Sequence, residues 1–306
     1  MMFIVVLGSA AGGGFPQWNC NAPTSQGVRE GSINAKPRTQ ASIAVSSDGG
    51  SWLLINASPD FRQQQAAVRQ LWPVDKPRHS PIKAVLLTSA EIDHVAGLLS
   101  MRESQPFTLW ATGRVHDILA ENPIFGALAP DYVTRRSFEL DRSWEVAGGA
   151  GPLGLTIEAF SVPGKVPLFL EARNRDNLAG GAEDTVGLRI SQGSKSFLFI
   201  PGCARLTDDL RARLRGTQLL FFDGTLWTDN ELQRLAISGK TGRRMGHMSI
   251  DGADGTIATL RDLEVQRKIF IHINTTNPVL DEDSPAHAAI RAAGWEIAED
   301  GMEIRL

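Results

Sequence analysis

Three short segments of this 306-residue sequence carry residue types that can hold a divalent ion or move a proton, and each follows or ends an apolar run. The first is Thr88-Ser89-Ala90-Glu91-Ile92-Asp93-His94-Val95-Ala96-Gly97, directly after the apolar residues 84–87. The second, Leu219-Leu220-Phe221-Phe222-Asp223-Gly224, ends an apolar run on a carboxylate and the glycine of a tight turn. The third, Lys268-Ile269-Phe270-Ile271-His272-Ile273-Asn274, sets an imidazole in apolar surroundings, where it must find polar partners or lose its charge. Asp93 and His94 are adjacent, so they can converge on one ion from a loop, whereas a strand would send them to opposite faces. Taken singly, Asp93 also fits a helix cap and His272 a satisfied core histidine. Together, Asp93, His94, Asp223 and His272 are the ligand types of a catalytic metal with open positions.

Such residues need strands that end at a common mouth. β-Branched and aliphatic runs at 3–7, 42–45, 52–55, 84–87, 185–190, 197–200, 219–222, 269–273 and 302–306 predict strands. Helical periodicity predicts helices over 60–70, 207–214, 254–263 and 284–293; Ser284 is the N-cap of the last, Pro285 its first residue and Gly294 its stop. Turn-linked strand pairs come first and helix alternation later, so mixed sheets covered by outer helices are expected, within an α/β chain forming one domain over 1–306. Two long loops, 8–37 and 164–184, suit lids or binding loops.

Composition narrows the partners. With 31 basic and 34 acidic residues the net charge is -3, too weak a field to argue for nucleic acid or a membrane surface. No stretch approaches the ~20 apolar residues of a spanning helix, and the opening MMFIVVLG lacks the basic start of a signal peptide. Cys20 and Cys203 are too few for a disulfide scaffold or a four-cysteine zinc site, which suits a reducing compartment, so a cytoplasmic location is expected. The glycines of 8–14 match neither a phosphate loop nor a dinucleotide fingerprint; they suit a close backbone approach to the metal mouth.

Residues 88–97 resemble the T-H-x-H-x-D-H-x-x-G signature of the metallo-β-lactamase superfamily, with Ser89 and Glu91 where its first two histidines stand. Within that superfamily the glycine-rich segment 7–20, Arg38-Thr39-Gln40, residues 56–60, 223–227 and 241–247, and His272 to Pro278 resemble the pyrroloquinoline quinone biosynthesis protein B family, in a match spanning nearly the whole chain. The resemblance implies a four-layer αββα sandwich. It makes Asp93 and His94 ligands of the second metal site, Asp223 the bridging aspartate and His272 the last histidine. His247, in Met245-Gly246-His247-Met248-Ser249, is similar to a phosphodiesterase histidine that assists proton transfer, so it is expected as a catalytic residue and not a ligand. A further histidine would be expected near Pro201-Gly202-Cys203 and is absent, so three ligands of one metal are missing together.

A binuclear hydrolase needs two filled sites, and this chain is expected to fill one. Two histidines with carboxylates approach the pattern of mononuclear iron oxygenases, although zinc accepts the same ligands. The resembled family is associated with iron-dependent hydroxylation of the tyrosine ring in a glutamate-tyrosine unit, and also with carriage of the quinone or its precursor to the periplasm. One Fe(II), or zinc, and a small peptide-derived substrate or the quinone itself are therefore the expected cofactor and partner. Arg243 and Arg244 suit a substrate carboxylate, or an ordinary surface pair. The family commonly binds a structural zinc through Cys-x-Cys-x-x-Cys in the N-terminal loop, where this chain has Cys20, Ala22 and Ser25. A lone cysteine cannot make that site, so anomalous scattering at the zinc edge is expected to give no peak at Cys20.

Overall fold

The computed structural model describes residues 1–149, 151–173 and 179–306. The strands are β1 (Phe3–Gly8), β2 (Ser42–Ser46), β3 (Trp52–Ile55), β4 (Ile82–Leu86), β5 (Phe107–Ala111), β6 (Val133–Ser137) and β7 (Ser143–Gly148), followed by β8 (Gly151–Ser161), β9 (Val186–Gln192), β10 (Lys195–Ile200), β11 (Leu219–Asp223), β12 (Arg267–Ile271), β13 (Glu296–Ile297) and β14 (Glu303–Arg305). Among the described residues they form two seven-stranded sheets, ordered β14-β1-β2-β3-β4-β5-β6 and β13-β12-β11-β10-β9-β8-β7. Both are mixed in the same way. β14 to β3 pair antiparallel and β3 to β6 parallel, while β7 to β10 pair antiparallel and β10 to β13 parallel.

The helices are α1 (Pro23–Glu30), α2 (Phe61–Ala67), α3 (Ile92–Val95), α4 (Gly113–Glu121), α5 (Asp208–Leu214), α6 (Glu231–Arg234), α7 (Thr256–Thr259) and α8 (Pro285–Ala292). Three apolar layers make the expected αββα sandwich. Side chains such as Ile43, Leu53 and Leu86 from one sheet and Leu188, Phe199 and Phe221 from the other fill the space between the sheets. The outer face of the first sheet, with Leu54 and Val85, packs on Val115, Ile118 and Leu119 of α4. That of the second, with Leu220 and Phe270, packs on Leu210 of α5 and Ile290 of α8. Buried on both faces, β4, β11 and β12 read as continuous apolar runs, which is why they were legible in the sequence.

Several elements depart from the sequence expectation. β5 to β8 and the two-residue β13 are not among the expected strands; β6, at a sheet edge, is mostly exposed and polar, whereas β8 does alternate, burying Leu153, Leu155, Ile157 and Ala159. Loop 8–37 contains α1, entered through Pro23 and closed by left-handed Gly31. The helix expected over 254–263 shrinks to the single turn of α7, whereas Ser284 does cap α8 by accepting from the His287 N–H. Of the expected 164–184 loop, residues 174–178 lie outside the described residues.

Gly97 shows how tightly the site loop is seated. A Cβ there would lie 2.1 Å from the Ser58 carbonyl oxygen and 2.8 Å from that of Ala57, so only glycine lets this turn rest on the backbone after β3. Gly97→Ala is expected to destabilise the chain by ~1–3 kcal/mol or more, read as a lower denaturation midpoint.

Candidate metal centre

The parallel register of β11 and β12 pairs Asp223 with Ile271, so Asp223 and His272 emerge side by side at the same sheet rim. The sequence placed His272 inside a strand; the strand in fact ends at Ile271, and His272 takes a left-handed backbone with φ 62°. That conformation costs a non-glycine residue ~1–3 kcal/mol and persists only where its surroundings impose it. Here the Thr225 hydroxyl lies 2.9 Å from the His272 carbonyl oxygen, and the Ile273 N–H donates to Ser9 O at 2.9 Å.

Asp223 is fully buried, and both carboxylate oxygens are engaged. Oδ1 accepts from the Thr225 N–H at 3.0 Å and lies 2.7 Å from its hydroxyl; Oδ2 accepts from the Cys203 N–H at 2.8 Å and pairs with His247 Nδ1 at 2.9 Å. The same Thr225 hydroxyl stands 2.9 Å from His272 Nδ1 and 3.0 Å from His247 Nδ1. Thr225 therefore orients three functional side chains at once, a role the sequence reading missed. Burial, with the Asp223 charge, pushes the Cys203 thiol up, so it stays a neutral thiol.

The other half of the site comes from the first sheet. Beyond β3 and β4, Asn56 accepts from the Thr88 N–H at 2.9 Å and donates to the Thr88 hydroxyl at 3.0 Å, fixing the start of the Asp93 loop. Asp93 is not the cap of α3; Glu91 is, and Asp93 lies in the first turn. His94 Nδ1 lies 2.8 Å from the Ser89 hydroxyl, while His94 Nε2 is buried with no hydrogen-bond partner among the described residues. Burial pushes the His94 imidazole below its ordinary value, with Asp93 opposing, which favours a neutral ring. Burial works to raise the Asp93 carboxyl, but the His94 and His272 imidazoles override it and hold it well below the usual carboxylate range. A neutral ring with one nitrogen anchored and the other unpartnered, beside an ionised carboxylate, fits a metal ligand set.

His272 Nε2 meets Asp93 Oδ2 at 3.0 Å and joins the two halves. Donor atoms of Asp93, His94 and His272 lie within 4.8 Å of one another, as do those of Asp223, His247 and His272. The four expected ligands thus fall into two overlapping triads that share His272, and His247 joins the second by its bond to Asp223. Asp93, His94, His247 and His272 line one cavity of about 580 Å³. Gly12 and Gly13 also line it, and a Cβ on Gly12 would touch the Asp93 carboxylate at 3.6 Å, in line with the close approach expected of those glycines.

Neither expected substrate arginine is among the residues lining that cavity. Arg243 reaches Asp254 at 3.3 Å with a half-exposed side chain, and Arg244 is drawn to Glu171 at 3.2 Å. Of the charged residues that do line the cavity, Glu91 stands in the expected motif, whereas Lys165, Glu171 and Lys240 carry no mark in the sequence because their partners are distant in the chain.

Residues 51–273 match the model of a β-lactamase superfamily domain. The chain is 61% identical over 305 residues, covering 100% of both proteins, to a coenzyme PQQ synthesis protein B of Xanthomonas campestris pv. campestris. It belongs to the coenzyme PQQ synthesis protein B family. A Zn(2+)-bound crystal structure of PqqB from Methylobacterium extorquens superimposes with a TM-score of 0.94 at 49% identity, covering 99% of this chain and 100% of that one. A diphosphatase of the PhnP family shares the fold, with a TM-score of 0.69 at 19% identity over 100% of this chain and 98% of its own. In the N-terminal loop, Ser25 is buried and lies 2.7 Å from the Thr275 hydroxyl, and Cys20 Sγ accepts from the Ala22 N–H at 3.4 Å. Among the described residues no helix is long and apolar enough to cross a membrane.

His272 serves both triads. His272→Ala is expected to lose tight divalent-metal binding, measured as metal per chain after dialysis, while Cys203→Ala retains it.

Proposed function

We propose that the chain, as one domain, acts in the biosynthesis of pyrroloquinoline quinone as a mononuclear oxygenase that hydroxylates the tyrosine ring of a glutamate-tyrosine-derived precursor. The observation that carries this is the Asp93, His94 and His272 set: two imidazoles and one carboxylate within 4.8 Å, the ligand pattern of non-haem iron(II) oxygenases with open positions. In this reading Asp223, beside His272, is the fourth donor, and iron(II) is the working metal. The names of the relatives support the pathway. The Methylobacterium extorquens protein was solved with Zn(2+) bound, which supports binding of a divalent ion in the family, and the choice of iron rests on the ligand chemistry.

A second ion lacks its usual holders. Ser89 is engaged with His94, Glu91 with Lys165 at 2.6 Å, and the Pro201-Gly202-Cys203 segment offers a neutral buried thiol. This argues against the two-ion hydrolysis of the superfamily.

Bound iron(II) would supply the activation of dioxygen. Inserting one oxygen atom into a ring C–H bond and releasing the other as water takes two electrons from a reductant and two protons. His247 is placed to move those protons. Its Nδ1 is held by Asp223 at 2.9 Å, which leaves Nε2 as the nitrogen free to serve a substrate in the cavity it lines. The Asp223 carboxylate and the Thr225 hydroxyl fix the direction of the ring.

Protein prepared without oxygen, loaded with iron(II) and given a tyrosine-containing dipeptide and ascorbate is expected to consume oxygen in step with ring hydroxylation. Stoichiometric binding of the quinone or its precursor without turnover would favour a carrier instead. His247→Ala is expected to keep its metal and lose roughly 10²- to 10⁴-fold in rate; loss of the metal, or unchanged turnover, would remove His247 from this role.

A further inference from the structure

Beside the metal centre, the cavity has a charged wall that the chemistry above does not use. Lys165 donates to Glu91 Oε1 at 2.6 Å and to the Val166 carbonyl at 3.2 Å, and its Nζ lies 3.5 Å from Glu171. Glu171 also accepts from Lys240 at 2.9 Å and from Arg244 at 3.2 Å. Among the described residues three cations thus meet two carboxylates, with Arg244 reaching Glu171 from outside the cavity lining. Burial works to raise the Glu171 carboxyl, but the hydrogen bonds from Lys240 and Arg244 and the charge of Lys165 hold it below the ordinary carboxylate value, so the group stays ionised.

The wall is built into the site. Glu91 stands two residues before Asp93, and a Cβ on Gly246, the residue before His247, would lie 3.3 Å from Lys165 Cγ. Lys165 is therefore wedged between the segment carrying Asp93 and His94 and the segment carrying His247. Lys165 and Lys240 both line the cavity, together with the apolar Ile92, Leu168 and Leu232. Among the described residues the Lys240 ammonium donates to Glu171 alone, which leaves two of its three protons for a ligand, and its side chain is 36% exposed. Apolar surface with a few convergent charges, in a cavity of this size, suits a small molecule that has an apolar body and an anionic end.

We infer that Lys165 and Lys240 bind a free carboxylate of the substrate and hold its apolar part toward the metal centre. This rests on reading the cavity as the site of a peptide-derived substrate. It assigns the anion-binding role to two lysines, in place of the arginines at 243 and 244. The Lys240 ammonium, with two protons still to donate, takes the carboxylate beside Lys165, and a charge-assisted bond is lost when the carboxylate is made neutral.

Calorimetry on the metal-loaded chain tests this with two probes, glutamyl-tyrosine and its C-terminal amide, in the absence of oxygen. Wild type is expected to prefer the acid by roughly tenfold or more. Lys240→Met and Lys165→Met should each erode that preference without changing metal content, and Lys165→Arg should restore most of it. Equal binding of acid and amide by wild type, no binding of either, or a preference unchanged in both methionine variants would overturn the assignment. Binding is read without turnover, so a lysine-dependent preference in a chain that consumes no oxygen would sustain the anion site while removing the oxygenase reading.

Discussion

A carboxylate with no exposure to solvent organises this molecule. Burying the charge of Asp223 costs several kcal/mol unless its lone pairs are met by well-placed donors. Those donors come from the Thr225 backbone and hydroxyl, the Cys203 N–H and His247. Satisfying one group therefore brings the ends of β10 and β11 and the segment 241–249 to the same point. The parallel register then delivers His272 to the neighbouring position, and the Thr225 hydroxyl, already engaged, takes up His272 Nδ1. Truncating such a network at any member leaves buried polar groups unmet, so its parts are expected to act as a unit.

The second sheet supplies that knot and the first sheet supplies what faces it. Asn56 and Thr88 pin the turn after β4, Gly97 seats the turn on the backbone after β3, and Ser89 holds the His94 ring by Nδ1. The two halves meet where His272 Nε2 touches Asp93, and the chain between the sheets is stitched there by the Ser89 and Thr185 bridge and by Ala10 pairing with Ile273. The left-handed His272 is thus held from several directions. That suits a residue whose direction must be set to within a fraction of an ångström.

The residues at the positions of the superfamily's other histidines have partners of their own. Ser89 orients His94, and Glu91 meets an ammonium group across the cavity. The cationic charge on that side comes from side chains of the chain itself, which keeps the cavity charged at one wall and leaves the candidate metal ligands at the other.

How much of this was legible follows from the range over which each interaction acts. Apolar strands buried on both faces, such as β4, β11 and β12, announce themselves in composition, and so do the Ser284 cap of α8 and its glycine stop, because burial and capping are local matters. The polar residues at the ends of those strands, Asp93, His94, Asp223 and His272, could be picked out for the same reason, and the αββα framework followed from the motif they sit in. Exposed β6 and the short α7 carried no such local mark, whereas β8 carried one that went unread, the alternation of Leu153, Leu155, Ile157 and Ala159. What joins the site lay out of reach: Lys165 meets Glu91 across 74 residues, His272 meets Asp93 across 179, and Thr225 serves side chains 22 and 47 residues away. No periodicity encodes those pairings. They exist because two sheets pack with their parallel strand ends at one rim, and only that packing decides that His247 reaches Asp223 while Arg243 turns to Asp254 instead of the cavity.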